Sequence, residues 1–484
     1  MGWVRSWAVL ATTGLAAAAC AVGPHYKRPE APVPAAFKEP PPGDWKPAQP
    51  NDAVLRGKWW EIFGDPALNA LEEQVTVSNQ NIAQAEAQFR GARAALGVVR
   101  AGLFPTVTAG ASATRSRTPT LRAGAAGTSS SGETTVFQVP IDLSYEIDLW
   151  GRIRRNIEAS AASAQASAAD LENVRLSMHA ELALDYFQLH GLDAQRQLLD
   201  TTVGGYQTAL QLTTNRYNQG VVSGVDVAQA QTQLEQTRAQ ATELGVGRAQ
   251  FEHAIAILTG KAPADLTIAA APIGLSPPPI PVALPSALLE RRPDVAAAER
   301  RVAAANAQIG VAQAAYFPTL SLTGSGGFES TKLAKLFSLP NRFWSLGSSL
   351  VETVFAGGKR RAAVEQARAS YDATVAVYRQ DVLTALEEVE NNLAALRILA
   401  VEENEQAAAV SAAERSLALA KNRYQGGITT YLEVITAQNI ALVNERAAVD
   451  ILTRRMVASV NLIKALGGAW TAADLPALGA PIGR

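Results

Sequence analysis

What this chain of 484 residues has little of sets its limits. It has one cysteine, so no disulfide within the chain staples it. Its formal net charge is −1, without the basic surplus that a nucleic-acid partner calls for. Aromatic residues make up only 6%. Beyond the N-terminus no run of about 18 uncharged apolar residues occurs, and mean hydropathy is +0.02. The chain is therefore not a bundle of transmembrane helices, and any passage through a membrane must use strands. Catalytic patterns are missing too. His25, His179, His190 and His253 are scattered without metal-ligand spacing. No His-Glu-x-x-His and no Gly-x-Ser-x-Gly is present. Gly357-Gly358-Lys359 looks like the end of a phosphate loop, but Arg360 stands where Ser or Thr is needed, so these glycines read as the opening of a helix. Asp65 before Pro66 and Asp294 after Pro293 read as helix-start residues. The expectation is a non-enzyme with no catalytic residue, no metal and no cofactor.

The lone cysteine is informative by position. Arg5 supplies a short positive region, Trp7 to Leu15 an apolar one, and Ala17 to Ala19 small residues before Cys20. Residues 1–19 read as a signal peptide, and Cys20 as a lipid-anchored first residue carrying S-diacylglycerol and an N-acyl chain. The usual pattern has Leu where this chain has Ala17. Ala21, rather than Asp, is compatible with the outer membrane. Residues 20–60 form a Pro-rich tether, because proline removes donors and holds the backbone extended.

The rest of the chain repeats itself. Asn215-Arg216-Tyr217 recurs as Asn422-Arg423-Tyr424, an offset of 422 − 215 = 207, which also carries Gly220 to Gly427, Asp226 to Glu433 and Ala230-Gln231 to Ala437-Gln438. Phe104-Pro105-Thr106 recurs as Phe317-Pro318-Thr319, an offset of 317 − 104 = 213. Each half runs helix, strand, loop, strand, long helix, turn, helix. The expected divisions are 61–260 and 293–466 for the repeats, 261–292 for an equatorial connection and 467–484 for a C-terminal equatorial segment.

From Val136 to Leu149 apolar residues alternate with polar ones, the period-two pattern of a strand with one greasy and one wet face. Asp142, Glu146 and Asp148 fall on the wet face and are expected to face an aqueous lumen. Val107 to Ala113 alternate more weakly. In the second half the strand residues are Leu320, Leu322, Trp344, Leu346 and Leu350, around a loop near 326–340. A half-buried strand of a soluble sandwich has the same period. The helices are long. From Lys359 to about Ala420 there is no Gly or Pro, and Val382, Val389 and Leu396 step by seven with Leu386 and Leu393 between them, a heptad seam. In the first half Leu171, Val174, Met178, Leu182, Tyr186, Leu189 and Leu192 step by three or four.

Two hairpins cannot close a membrane barrel, because open sheet edges in lipid leave backbone groups unpaired at several kcal/mol each. If these strands span a membrane, copies must share one wall, and three copies of four strands make twelve. The fold class that would follow is an α+β membrane protein with two internal repeats per chain, each copy supplying a quarter to a half of the wall; three copies would give a trimeric 12-stranded outer-membrane barrel continued by a long periplasmic helical barrel.

Particular residues also carry a family likeness. Cys20 is followed by Val22-Gly23-Pro24. Trp59-Trp60, Phe63 and Asp65-Pro66 follow, then Arg291-Arg292-Pro293-Asp294 running through Ala298-Glu299 to Ala304-Ala305-Asn306-Ala307. With these the chain resembles the outer membrane factor family, the TolC/OprM-like channels, in its NodT-type lipoprotein branch. The resemblance implies a homotrimer working with a periplasmic adaptor and an inner-membrane pump, usually of the resistance-nodulation-division type. It also implies adaptor-docking tips at Asn215, Arg216, Tyr217, Gly220, Asn422, Arg423, Tyr424 and Gly427. A periplasmic gate is implied at Asp226, Leu432, Glu433 and Thr436, with Leu432 as the hydrophobic constriction. Thr436 stands where related channels often carry a gate Asp. Asp226 and Glu433 read equally as N-terminal helix carboxylates favoured by the dipole. The expected function is passive exit of drugs or other small molecules across the outer membrane. The other readings are the exit channel of type I secretion or metal efflux, and a lipid-anchored coiled-coil scaffold without a pore.

Overall fold

The computed structural model describes residues 21–39, 57–117, 133–274, 276–280, 288–468 and 470–477. Cys20, the leader before it and the loop 118–132 lie outside the described residues.

Helix α1 spans Pro66–Ser78; Asp65 caps it, its carboxylate accepting from the amides of Ala67 and Leu68. Helix α2 is Gln80–Ala101, followed by strands β1 Thr106–Ala109, β2 Ser112–Arg117 and β3 Glu133–Ile147. Helix α3 runs Arg152–Asn218, 67 residues, roughly 100 Å at 1.5 Å per residue. It turns into α4, Gly224–Leu258. After the short α5, Leu288–Arg291, comes α6, Pro293–Ala314. Then follow β4 Thr319–Ser330, β5 Arg342–Val351, α7 Lys359–Gln425 and α8 Tyr431–Ala465. The halves match in length: α2 and α6 both have 22 residues, α3 and α7 both 67, and α4 and α8 both 35. Among the described residues no helix is long and apolar enough to cross a membrane.

All strands join one antiparallel sheet, ordered β1–β3–β4–β5 with β2 also on β3. The structure corrects the sequence reading at three points. The first strand is split: Thr106 pairs with Ser144 and Ser112 with Gln138, one continuous register (106 + 144 = 112 + 138), but the ladder breaks at Gly110. Opposite lies Pro140, which has no amide to donate; Gly110 N–H still reaches its carbonyl at 3.0 Å. Next, β3 ends at Ile147, so Asp148 and Leu149 leave the alternation. Asp148 accepts from the amides of Ile153 and Arg154 at 3.0 and 2.9 Å and so starts α3. Finally, β4 continues through Gly324, Gly326 and Gly327 to Ser330, where the sequence suggested a loop. A side chain at Gly327 would put its Cβ 2.1 Å from the Val139 carbonyl oxygen, so glycine here serves close strand approach rather than a turn.

The core lies in the helical body. Val382, Leu386, Val389, Leu393 and Leu396 are buried in it with Leu171, Leu182, Tyr186 and Leu189. Trp59, Trp60 and Phe63 close one side. Each buried side chain of this size contributes about 1.5–3 kcal/mol. Helix α6 lies between α3 and α7, whereas the main partner of α2 is α3 alone.

Each half is closed by the same device. Asn79 Nδ2 donates to the carbonyl of Leu258 at 2.9 Å. Arg292 donates to that of Ala465 at 3.1 Å. These are repeat mates (79 + 213 = 292; 258 + 207 = 465). Beside them Gly260 and Gly467 have φ of +72° and +89°. A Cβ there would sit 2.4 Å from Ser78 O and 2.1 Å from Arg291 O respectively. Both the left-handed backbone and the close approach demand glycine.

Residues 21–39 run along the outside of these helices. Val22 N–H donates to Trp150 O at 3.0 Å, and Arg155 Nε to Val22 O at 3.0 Å. Asn306 Nδ2 donates to Pro24 O at 3.1 Å, and the Tyr26 hydroxyl donates to Glu299. Lower down, the amides of Lys38 and Glu39 donate to Glu390 at 2.6 and 2.9 Å. Residues 21–39 of the Pro-rich segment are thus a docked strap, with Val22 at the junction of β3 with α3.

Candidate functional site

The sequence-predicted residues gather at the two ends of α3 and α7. At the strand end, Ile141 stands beside Gly326 and that beside Trp344; Leu143, Gly324 and Leu346 form the next row, and Ile147, Leu320 and Leu350 another. The opposite face carries Asp142, Ser325 and Ser345 in one row and Glu146, Ser321 and Ser349 in another. One face is thus apolar and the other mostly hydroxyl. Trp344 and Leu346 are 73% and 81% exposed, so nothing within the described chain covers the apolar face there. Asp142 accepts from Ser325 Oγ at 2.5 Å. Glu146 accepts from Arg152 Nε and Nη2 at 3.0 and 2.7 Å. The outer edges, β1/β2 and β5, have no strand neighbour among the described residues.

At the other end lie the tips. Gly220 and Gly427 have φ of +72° and +70°. Hydrogen bonds around them repeat one for one: Gln219 N–H to Asn215 O, Gly220 N–H to Tyr217 O and Val221 N–H to Arg216 O recur as Gly426 to Asn422, Gly427 to Tyr424 and Ile428 to Arg423. The side chains diverge. Asp226 completes a capping box with Ser223, its carboxylate accepting from the Ser223 amide at 3.1 Å. Glu433 instead pairs with Arg423 at 3.2 Å and accepts from the Thr429 hydroxyl. Thr436 donates to the Leu432 carbonyl at 2.9 Å, and the Leu432 side chain is exposed. Asn215 accepts from Gln211 Nε2 at 3.0 Å.

Sequence reasoning named Arg216 and Tyr424 separately and missed that they touch. Arg216 Nη1 donates to Tyr424 O at 3.1 Å, and its guanidinium lies 4.8 Å from the Tyr424 ring centre. Tyr424 also packs on Tyr431, ring centres 5.3 Å apart. The recurrence of Asn-Arg-Tyr was the available signal. Arg292 was also missed as a clamp: besides Ala465 O it holds Asp294 and Glu388, both at 2.6 Å.

Elsewhere, Glu72 is buried against His179, Oε2 to Nδ1 2.6 Å, with Trp60 stacked on the imidazole. Burial pushes Glu72 well above the usual carboxylate range. Burial, then Arg175, lowers His179 to about 4. Both shifts favour neutral forms, so this is a core hydrogen bond rather than an exposed acid–base pair. A cleft of about 940 Å³ beside it, lined by Phe89, Arg90, Arg93, Arg175 and Trp470, is open. Among the described residues no cluster could hold a metal ion.

An amphipathic sheet with open edges, carried on a long antiparallel helical body, is the build of an outer-membrane channel subunit. The chain belongs to the outer membrane efflux protein family, whose model matches residues 71–261 and 284–468. It is 32% identical over 472 residues to a probable efflux pump outer membrane protein, TtgC, of Pseudomonas putida, covering 96% of each. It is 33% identical over 458 residues to the outer membrane protein OprJ of Pseudomonas aeruginosa, covering 93% of each. A solved structure of the outer-membrane channel OprN superposes with a TM-score of 0.84 at 33% identity, covering 93% of this chain and 99% of that one. The protein is an outer-membrane efflux channel component, in a family of channels rather than enzymes.

Proposed function

We propose that three copies form a passive duct through the outer membrane, carrying drugs or other small molecules handed on by an inner-membrane pump of the resistance-nodulation-division type through a periplasmic adaptor. The observation that carries this reading is the sheet. Its apolar face is uncovered and both its edges are unpaired, which in hydrocarbon demands closure by further copies. Four lanes from each of three copies make twelve strands. Strands of 15, 12 and 10 residues are long enough, since a tilted span needs about 9–11. The internal repeat supports the same ring: α6 is flanked on both sides, and the open flank of α2 is its equivalent, left for the α7 of a neighbouring copy.

In this arrangement Asp142 and Glu146 face the lumen, whereas Asp148 is taken up in starting α3, and the tips dock the adaptor. Leu432, Thr436, Asp226 and Glu433 line the periplasmic gate. A lipid on Cys20 would enter the bilayer beside Gly151, where a Cβ would come within 2.8 Å of Ala21, at the junction of strand wall and helices.

Two experiments test the reading. Ile141→Arg puts a charge on the apolar face, at about 2–4 kcal/mol per copy near the bilayer midplane; the expected result is loss of assembled trimer and of channel current. Normal trimer yield overturns the lipid-facing assignment. Cys20→Ser is expected to abolish palmitate labelling, and retained label rejects the anchor.

A further inference from the structure

We propose that Arg423 clasps Tyr217 of the partner subunit, the between-copy counterpart of the Arg216–Tyr424 contact, and that Glu433 competes for the same guanidinium. The inference rests on the ring assembly proposed above. Within one chain Arg216 of the first tip reaches forward onto the second tip, donating to Tyr424 O at 3.1 Å and lying 4.8 Å from the ring centre. The repeat mate of Arg216 is Arg423 (216 + 207), and that of Tyr424 is Tyr217 (424 − 207). In a closed ring built from such halves, the step that carries the first half onto the second carries the second onto the first half of the next copy. That step turns the observed contact into Arg423 on Tyr217 of the partner subunit.

The two ends of this missing contact are available. Tyr424 is 6% exposed under its arginine, whereas Tyr217 is 50% exposed. A Cβ at Gly224, the mate of the Tyr431 that backs Tyr424 (224 + 207 = 431), would lie 3.6 Å from the Tyr217 ring, so the first tip has no side chain where the second has Tyr431. With half its surface exposed, the Tyr217 ring is open to a cation. Arg423 is half-exposed and held by one surface ion pair to Glu433 at 3.2 Å, a weak restraint in solvent. Arg216 has no such carboxylate partner in its tip, because Asp226 is turned into the capping box. The contact inside each copy is thus permanent and the one between copies is switchable: released when Glu433 holds Arg423, formed when it does not.

The test is a pair of double-cysteine variants treated with a short bismaleimide, with the parent and single variants as background. Arg216→Cys with Tyr424→Cys is expected to link within one chain and stay monomeric on a denaturing gel. Arg423→Cys with Tyr217→Cys is expected to give covalent dimers and trimers in at least a tenfold excess over either single variant. Monomers only from the second pair, while the first links, overturn the proposal. So does a parent in which an amine-reactive cross-linker finds no trimer at all, and that result removes the ring assembly as well. A second measurement addresses competition. Glu433→Gln is expected to lower single-channel open probability at least twofold, and to do nothing in a Tyr217→Ala background. Additive effects in that cycle contradict the shared guanidinium.

Discussion

The two halves of the chain have the same backbone and different company. Helices of 22, 67 and 35 residues recur, and the tip hydrogen bonds recur one for one. Yet where the first half uses Asn79 to hold the returning helix, the second uses Arg292 with two carboxylates. Where the first tip turns its acid into a cap, the second spends it on an ion pair. Backbone geometry is what a ring of repeats needs at every position. Side-chain chemistry is free to differ wherever the neighbours differ.

The largest effect is expected at the two glycines that make the halves alike. Gly467→Ala and Gly260→Ala should each cost at least about 3 kcal/mol, because a Cβ meets backbone oxygen in a left-handed conformation. Heating the assembled protein and following its dissociation checks both. Sensitivity at one site only breaks the equivalence. Next comes the unequal clamp. Arg292→Ala should cost about 2 kcal/mol, since it removes a buried guanidinium's bond to the Ala465 carbonyl and leaves the partly buried Asp294 unpaired, against about 1 kcal/mol for Asn79→Ala. Equal losses in the same assay remove the claimed difference.

A pH effect follows from a third pair. Asp185 is raised to about 7, by burial first and Glu181 second; its repeat mate (185 + 207) is Asn392. The unfolded carboxyl titrates near 3.9. Between there and about 7 the folded state keeps a proton that the unfolded state has lost, so stability falls as pH rises through that window and is flat above it. Asp185→Asn should remove the slope, stabilising by about 1 kcal/mol at pH 8 and not at pH 4. An unchanged slope refutes the assignment. The smallest effects are at the tips. Asp226→Ala should cost about 1 kcal/mol as a lost cap, and Glu433→Ala under about 0.5 kcal/mol, read as faster amide exchange in the first turn of α4 but not of α8.

Much of this was legible in the residues. Long stretches without Gly or Pro and the steps of seven at Val382, Val389 and Leu396 marked the helices, and period-two alternation marked β3. The start of β4 was legible at Leu320 and Leu322 but its far end was not, because Gly326 and Gly327 read as a loop until strand pairing fills the space beside them. Asp148 looked like one more wet-face residue because local pattern does not show where a strand yields to a helix. The Arg216–Tyr424 contact spans 208 positions; the recurrence of Asn-Arg-Tyr pairs the two tips but does not say which side chain of one meets which of the other. The Asn79 and Arg292 clamps hid because two chemically unlike residues perform one task.

The central claim is that this sheet is a fraction of a wall that only further copies complete. Native mass spectrometry of the protein released from detergent measures it directly. The expected species is three chains together, with strand content lost when they separate. A folded single chain that keeps its strands in solution contradicts it.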